Sequence, residues 1–416
     1  MKTANLFFLL FTISILVPHT AYGQDNNGNR DTDNKIITEE NLLFPDGIRY
    51  EGECLHGVLP HGRGIMVDKD GYRYEGEFKF GKRCGWGVWD SPDGFHYEGE
   101  WKDDHRQGHG TITMPNGSRY EGEFKYDKFF GQGTMKYSDG SCYVGEWKET
   151  GRNGHGVMSF PDGSRYVGEW KDNQMNGHGV FSWPDGSLYD GDWIAGHENG
   201  KGSKKWPNGN HYDGEWKDGQ RYGHGVFVYS NGTYYEGEWR NDDMNGHGVM
   251  VWKSGTRYEG EWKDGMKNGH GTMKTSDGVR FDGEFLDNKR HGKGVLIFPD
   301  GGRIEGEYKD DKMNGFGVWS APEGILYSGE FKDGDFHGKG SRTWQNGGHY
   351  EGYFYEGKRH GKGKMHFADD FQFDGEWKED QPFSGILITP NGKSYEVKNG
   401  AWDDVINQLE QINNAQ

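Results

Sequence analysis

The stretch YVGEWKDNQMNGHGVFSWPDGSLYDGDW, residues 166–193, contains the plan of most of the chain. It begins with Y-x-G-x-W and ends with Y-x-G-x-W, and the second motif starts 23 residues after the first. Between them lie a G-x-G segment and the tripeptide PDG, which favours a tight turn because proline fixes φ and glycine accepts positive φ. A period of this length predicts an array of similar structural units.

The motif recurs through nearly the whole sequence. Fifteen copies follow one another, and every step from Tyr74 onward is 23 residues, whereas the first step is 24 residues. The residues that open the copies are Tyr50, Tyr74, Tyr97, Tyr120, Tyr143, Tyr166, Tyr189, Tyr212, Tyr235, Tyr258, Phe281, Ile304, Tyr327, Tyr350 and Phe373. Residues 42–400 are therefore predicted to form one repeat array that leaves no room for an inserted domain.

Each copy predicts a β-hairpin. In RYVGEWK, residues 165–171, the alternation of a strand places Tyr166, Gly168 and Trp170 on one face and the charged residues on the other. The second strand, GHGVMSF at residues 154–160, adds glycine, methionine and phenylalanine to the face that carries the rings. The KDNQMNG and PDG segments supply the two turns, so the copies together predict an antiparallel meander.

The many glycines on the ring face suggest how so thin a structure packs. We expect the rings of one copy to lie over the glycines of its neighbour, because a missing side chain leaves a slot about as wide as a ring. Glycine costs roughly 0.5–1 kcal/mol against alanine in a strand, and covering an aromatic ring recovers more at about 25 cal/mol per Å². The substitution Gly168→Val is therefore expected to disrupt packing.

The composition indicates a folded but acidic protein. The net charge is −18, and aromatic residues make up 15% of the chain, together with 72 glycines. An acidic surface repels phosphates, so nucleic acid is not an expected partner. Anionic membranes are disfavoured for the same reason, because acidic residues alternate with the basic ones. A small basic group at Lys201, Lys204 and Lys205 is the main exception.

The two ends of the sequence depart from the repeat. Residues 1–23 have the layout of a cleavable signal peptide, with an apolar core at 6–17 and predicted cleavage before Gln24. A membrane anchor is the alternative, although it needs about 20 apolar residues. Residues 24–41 are predicted to be a polar linker and an N-terminal cap. Residues 401–416 show helical spacing and predict a capping helix, with a partner-binding helix as the alternative.

The 23-residue unit, with Y-x-G-x-W, the G-x-G strand and the PDG turn, resembles the MORN repeat (membrane occupation and recognition nexus) over about residues 42–400. The resemblance implies an all-β fold, an elongated single-layer antiparallel array of β-hairpins, here ended by the short helix. It also implies non-catalytic roles in scaffolding, dimerisation and protein docking, and in some members association with acidic phospholipids. The signal peptide departs from the familiar eukaryotic members.

No enzymatic, metal or cofactor site is expected. Six copies place a histidine twelve residues after the opener, and equivalent positions in neighbouring copies should lie about 10 Å apart, too far to share one zinc ion. These histidines are His109, His155, His178, His224, His247 and His270. The acid pairs recur copy after copy, whereas catalytic carboxylates need two different environments.

The sequence therefore predicts an exported, non-catalytic scaffold that binds a protein partner or a second copy of itself. Its destination would be the periplasm, the outside medium or a secretory lumen. The alternatives are a carbohydrate-binding surface formed by rows of exposed rings, and an anionic-phospholipid-binding protein. The packing argument favours the interpretation that these rings are core. The candidate interaction residues are Tyr97, Trp101, Tyr120, Phe124, Tyr166, Trp170, Tyr258 and Trp262.

Overall fold

The computed structural model describes residues 37–414. The chain divides into two compact units, residues 1–105 and residues 106–416, and each unit is described by itself. The predicted signal peptide, residues 1–23, lies outside the described residues, as does the predicted linker up to residue 36.

The first unit is an open antiparallel meander over its described residues, 37–105. Each strand pairs with the strand that follows it in sequence. The strands are β1 (Ile37–Leu43), β2 (Arg49–Leu55), β3 (Leu59–Val67), β4 (Arg73–Lys79), β5 (Lys82–Asp90) and β6 (His96–Lys102). Strand β1 precedes the first copy of the repeat and pairs with β2 along its whole length, as an N-terminal cap would.

The second unit continues the same pattern from Arg106 to Asn414. Its strands are β7 (His105–Thr113, whose first residue closes the first unit), β8 (Arg119–Lys125), β9 (Lys128–Lys136), β10 (Cys142–Lys148), β11 (Gly151–Ser159), β12 (Arg165–Lys171), β13 (Gln174–Ser182), β14 (Leu188–Ile194), β15 (His197–Lys205), β16 (His211–Lys217), β17 (Gln220–Val228), β18 (Tyr234–Arg240), β19 (Asp243–Val251), β20 (Arg257–Lys263), β21 (Met266–Lys274), β22 (Arg280–Leu286), β23 (Lys289–Ile297), β24 (Arg303–Lys309), β25 (Lys312–Ser320), β26 (Leu326–Lys332), β27 (Asp335–Thr343), β28 (His349–Tyr355), β29 (Lys358–His366), β30 (Gln372–Lys378), β31 (Gln381–Ile388) and β32 (Ser394–Val397), followed by the helix α1 (Trp402–Asn414).

Every strand of the second unit pairs antiparallel with its successor in the chain. Within the described residues β7 and β32 do not pair with each other, so the sheet is open. The predicted all-β hairpin array is therefore confirmed in both units, and the predicted C-terminal helix is confirmed in the second.

Two kinds of turn connect the strands. At the first turn of a copy, Asp172 and Asn173 both have positive φ, 49° and 71°, as a two-residue type I′ hairpin turn requires. At the second turn, the N–H of Gly186 donates to the carbonyl of Trp183 at 3.0 Å. The prediction that all of KDNQMNG forms the first turn is wrong, because β13 already begins at Gln174.

A β-bulge explains why the strand begins so early. In β18 and β19, Gly237 faces Gly248 whereas Trp239 faces Met244, so β19 accommodates two extra residues between these pairs. Gly246 in the bulge has a φ of 66°. This positive φ favours glycine, and a Cβ atom here would lie 2.4 Å from a carboxylate oxygen of Glu238, so the carboxylate would have to move.

The acid of the first strand stabilises the bulge. The N–H of His247 donates to Oε1 of Glu238 at 3.1 Å, and the equivalent bond recurs in other copies, for example from His178 to Glu169 at 3.2 Å. The sequence pattern predicts only that these acids lie on a solvated face. Their bond to the bulge shows that they also hold the backbone of their own hairpin.

We expect Glu238→Ala to lower the free energy of unfolding by about 1 kcal/mol, because a bulge N–H loses its charged acceptor at an exposed site. Urea unfolding followed by tryptophan fluorescence measures this loss. Glu236→Ala is the matched control on the same strand and should change stability by less than about 0.5 kcal/mol. Equal effects of the two substitutions would contradict the bulge role.

Candidate interaction surfaces

The tyrosine that opens a copy lies over two glycines of its own hairpin. A Cβ atom built on Gly168 would lie 2.6 Å from the hydroxyl oxygen of Tyr166, and one built on Gly179 would lie 2.3 Å from the same atom. Both glycines belong to the copy that Tyr166 opens. This corrects the prediction that a ring covers the glycines of the neighbouring copy.

The tryptophan connects one copy to the next. The rings of Tyr166 and Trp170 meet edge to face at 5.2 Å, and those of Tyr166 and Trp193, in the next copy, meet at 5.5 Å. The indole N–H of Trp193 also donates to the carbonyl of Gly179 at 3.0 Å. Tyr166 is thus held between two tryptophans. Phenylalanine replaces tryptophan in some copies, as at Tyr327 between Phe331 and Phe354, and the alternating rings form a ladder that Ile304 interrupts.

Cationic side chains cover the solvent-facing side of the rings. The guanidinium of Arg221 lies 4.3 Å above the ring of Trp239, and its Nε donates to Oδ1 of Asp242 at 2.9 Å. The Tyr235 hydroxyl donates to the carbonyl of Glu238 at 3.0 Å. The rings are therefore buried although the sheet has a single layer. Glycines make room for them, tryptophans pack against them edge to face, and arginines cover them.

The eight residues predicted as an interaction surface are therefore core. Their exposed fractions range from 0% to 6%. They are Tyr97, Trp101, Tyr120, Phe124, Tyr166, Trp170, Tyr258 and Trp262. This corrects the expectation of an exposed row of rings, because a partner cannot reach these residues without unfolding the copy. Burial also raises the pKa of Tyr166 and Tyr258 well above the ordinary tyrosine value.

The helix α1 ends the ladder. Trp402 meets Phe373 edge to face at 5.6 Å, in the manner of the tryptophan of a following copy. Val405 and Leu409 of the same helix are buried. Over residues 37–414, none of the helical structure is both long and apolar enough to cross a bilayer.

On the opposite face of the sheet, basic or polar residues alternate with acidic ones, except at Phe316 and Tyr353. We call this line of side chains the base–acid row. In the second unit it runs through His109, Glu123, Gln132, Glu146, His155, Glu169, His178, Asp192, Lys201, Glu215, His224, Glu238, His247, Glu261, His270, Glu284, Lys293, Glu307, Phe316, Glu330, Lys339, Tyr353, Lys362 and Glu376. Residues at these positions are mostly exposed, so this face is available to a partner.

Two histidines of the row, His178 and His270, lie beside acids of the following strand. Nε2 of His178 is 3.1 Å from Oδ1 of Asp190, and Nε2 of His270 is 3.3 Å from Oδ1 of Asp282. No group of three or more His, Cys, Asp or Glu side chains that could hold a metal ion occurs between residues 37 and 414.

The basic group predicted at residues 201–205 is divided between the two faces. Lys204 lies on the ring face, 4.5 Å above Trp183, and pairs with Glu198 at 2.7 Å. Lys201 lies in the base–acid row, where it faces Glu215. Strand alternation therefore separates Lys204 from Lys201 and Lys205, so the three lysines do not form one basic patch.

Comparison with protein families matches thirteen tandem segments of the chain to the MORN repeat. They are residues 74–95, 97–119, 120–142, 143–165, 166–188, 189–211, 212–234, 235–257, 258–280, 281–303, 305–325, 327–349 and 350–370. The chain belongs to the MORN repeat family. The predicted count of fifteen copies is slightly higher, because the copies that open at Tyr50 and Phe373 are outside the matched MORN segments.

MORN repeats are generally protein-interaction modules, and the family is generally non-catalytic. The chain is therefore a repeat-based protein-interaction scaffold. The face that packs the rings is buried, whereas the face with the base–acid row is mostly exposed.

A search of curated proteins found no match. Among solved structures, the SAS-4 (dCPAP) TCP domain of Drosophila melanogaster, in complex with a proline-rich motif of Ana2 (dSTIL), is 12% identical, with 38% of this chain and 85% of that chain covered and a TM-score of 0.25. The TCP10 domain of Danio rerio CPAP, with a STIL peptide, is 12% identical, with coverages of 70% and 97% and a TM-score of 0.18. Virginiamycin B lyase from Staphylococcus aureus is 10% identical, with coverages of 69% and 96% and a TM-score of 0.12. At TM-scores this low, these similarities do not bear on function.

Proposed function

We propose that the protein is an exported, non-catalytic MORN scaffold that docks a protein partner, or a second copy of itself, on the face that carries the base–acid row. The observation that carries the proposal is the asymmetry of the sheet. One face is sealed by rings and arginines, whereas the other repeats the same exposed polar side chains from copy to copy. Export is inferred from the apolar leader in residues 1–23.

The order of side chains in the row favours protein over lipid. Basic or polar residues and acids alternate at the strand spacing of about 4.8 Å, and the row in the second unit holds eleven acids against four lysines and six histidines. An anionic membrane would therefore meet more repelling than attracting groups. A protein surface with the complementary alternation can satisfy both signs at once. A second copy of the chain carries such a surface, because the row is complementary to itself after a shift of one strand.

The test removes the alternation without touching the core. The double variant Lys201→Glu/His224→Glu leaves only acids along that part of the row, and Lys171→Glu/Lys217→Glu changes exposed strand ends outside it. Sedimentation velocity reports self-association, and proximity labelling in the native host identifies partners whose binding is then measured with the purified chain. We expect only the row variant to lose association. A monomeric chain for which no labelled protein binds directly would contradict the scaffold proposal.

Export has a separate readout. We expect the mature protein to begin at Gln24, as the predicted cleavage site requires, and to be recovered outside the cytoplasm. Mass spectrometry of the N-terminal peptide after cell fractionation measures both. An intact leader on a protein retained inside the cell would contradict export without affecting the scaffold proposal.

A further inference from the structure

The base–acid row has one position where an acid is replaced by an aromatic residue. Fourteen of the fifteen copies carry Glu or Asp three residues after the opener, whereas the copy that opens at Tyr350 carries Tyr353. In the preceding copy, the N–H of Lys339 donates to Oε1 of Glu330 at 3.3 Å. In the Tyr350 copy, a Cβ atom at Gly361 would meet only the Cβ of Tyr353, at 3.7 Å, so no carboxylate holds this bulge. Departures from the stabilising pattern of a repeat are where functional positions are expected.

The aromatic residue stands between two cations. Tyr353 is 43% exposed and pairs in register with Lys339, whose Nζ lies 5.6 Å from the centroid of its ring. Lys362 occupies the row on the following strand. Neither ammonium group forms an ion pair within the part of the chain that the structure describes. Elsewhere in the row, Lys201 and Lys293 each stand between two acids.

The neighbouring side chains extend this surface and limit its charge. Tyr355 is 52% exposed, and its ring lies 5.4 Å from that of His337 and 5.8 Å from that of His360. Lys364, one row away, is neutralised by Asp374 at 3.0 Å. Glu351 and the row acids on the outer strands also remain nearby, so the positive charge is concentrated on the two lysines beside Tyr353.

We propose that Lys339, Tyr353, Lys362 and Tyr355, which we call the Tyr353 patch, bind a linear acidic polysaccharide built of uronate units. The apolar face of a sugar ring stacks on an exposed aromatic ring, and a carboxylate pairs with an ammonium group. Two strand spacings place the lysines of the patch about 10 Å apart, with a tyrosine ring between them. A uronate chain offers the matching order, a carboxylate on each side of a sugar face.

Two features favour this polymer over other anionic ligands. The patch lies on the flat face of a sheet rather than in a cavity, which suits an extended chain more than a small molecule. Nucleic acid carries a charge every 1.7 Å or so along a duplex, and the net charge of −18 on this protein repels so dense an anion. A polyuronate is less densely charged. This inference is independent of the proposed scaffold function.

Binding of polygalacturonate to the full chain tests the proposal. Isothermal titration at low ionic strength should show saturable binding that weakens as salt is added. Tyr353→Glu restores the acid of the other copies, so it should hold or raise stability while weakening affinity by at least about tenfold. Lys339→Gln/Lys362→Gln should weaken affinity similarly. The matched control is Lys201→Gln/Lys293→Gln, which removes the same charge between acids and should leave affinity unchanged.

Two other anionic ligands test whether the Tyr353 patch is specific for a polysaccharide. Single-stranded DNA and phosphatidylserine vesicles are titrated against the same variants, and either one binding the Tyr353 patch as tightly as polygalacturonate would overturn the polysaccharide assignment. Failure of the wild-type chain to bind polygalacturonate, or equal losses in the patch and control variants, would also overturn it. Thermal unfolding of each variant separates lost binding from lost folding. The Lys201→Glu/His224→Glu variant lies outside the Tyr353 patch and should lose association while it keeps polygalacturonate binding, so the two proposals fail independently.

Discussion

Above pH 10 the protein is expected to unfold cooperatively, with its stability lost within about one pH unit. The tyrosines that open the copies are fully buried, and burial raises their pKa, to about 12 for Tyr350 and further for Tyr166 and Tyr258. In the unfolded chain they ionise near the ordinary pKa of about 10. Between these values the unfolded state releases protons that the folded state keeps, so stability is intact below about pH 10 and falls as the pH rises.

The size of this effect follows from the repeat. Each such tyrosine lowers the free energy of unfolding by about 1.4 kcal/mol per pH unit. Nine fully buried tyrosines of this kind lie in the second unit, so the combined slope is on the order of 10 kcal/mol per pH unit. They are Tyr120, Tyr143, Tyr166, Tyr189, Tyr212, Tyr235, Tyr258, Tyr327 and Tyr350. A domain whose free energy of unfolding is about 5–15 kcal/mol loses it within about one pH unit at such a slope.

Tyr258→Phe is the control for the alkaline transition. At neutral pH it should destabilise the protein by about 1 kcal/mol, because the hydroxyl of Tyr258 donates to the carbonyl of Glu261 at 3.0 Å. Near pH 11 the order should reverse, because phenylalanine cannot ionise. Urea titration at neutral pH measures the first effect, and the pH midpoint of alkaline unfolding, followed by circular dichroism, measures the second. A wild-type stability that stays level between about pH 9 and pH 11 would show that ionisation of these tyrosines does not control unfolding.

The sequence was sufficient to predict the hairpins and the two faces, because both follow from local spacing. The period places a strand at every Y-x-G-x-W, and alternation puts Tyr166 and Trp170 on one face. The bulge was not predictable in this way. KDNQMNG contains the residues of a turn, and only the pairing of Trp170 with Met175 shows that most of it belongs to β13.

The alternation of residues along the strands could not show whether the predicted aromatic residues are buried or exposed. A single-layer sheet offers no second layer to cover its rings, so an exposed row and a packed row have the same sequence pattern. The side chains that cover these rings come from other strands. Trp193 packs against Tyr166, and Arg221 lies over Trp239. Tyr353 is visible in the sequence as a break in the acid pattern. It becomes informative only when the acids of the other copies are seen to hold their bulges.

Gly179→Ala is expected to destabilise the protein by about 3–5 kcal/mol, as much as the loss of a buried aromatic side chain. The new Cβ would lie 2.3 Å from the hydroxyl oxygen and 2.5 Å from Cζ of Tyr166, so the ring must leave its slot. Tyr166 contacts the tryptophan of its own copy and that of the next, so both copies should loosen. Gly168→Val should act likewise, since its Cβ would lie 2.5 Å from the Cα of Gly179.

A double-mutant cycle separates the ring from the backbone as the cause. In a Tyr166→Leu background, adding Gly179→Ala should cost less than about 1 kcal/mol, because no ring remains to be displaced. Urea unfolding measures the two costs, and hydrogen exchange should show lost protection in residues 166–193 in particular. An equal cost in both backgrounds would mean that Gly179 is needed for the backbone of the strand rather than to make room for the ring of Tyr166. The position of Tyr166 in the ladder would then not depend on its glycine slot.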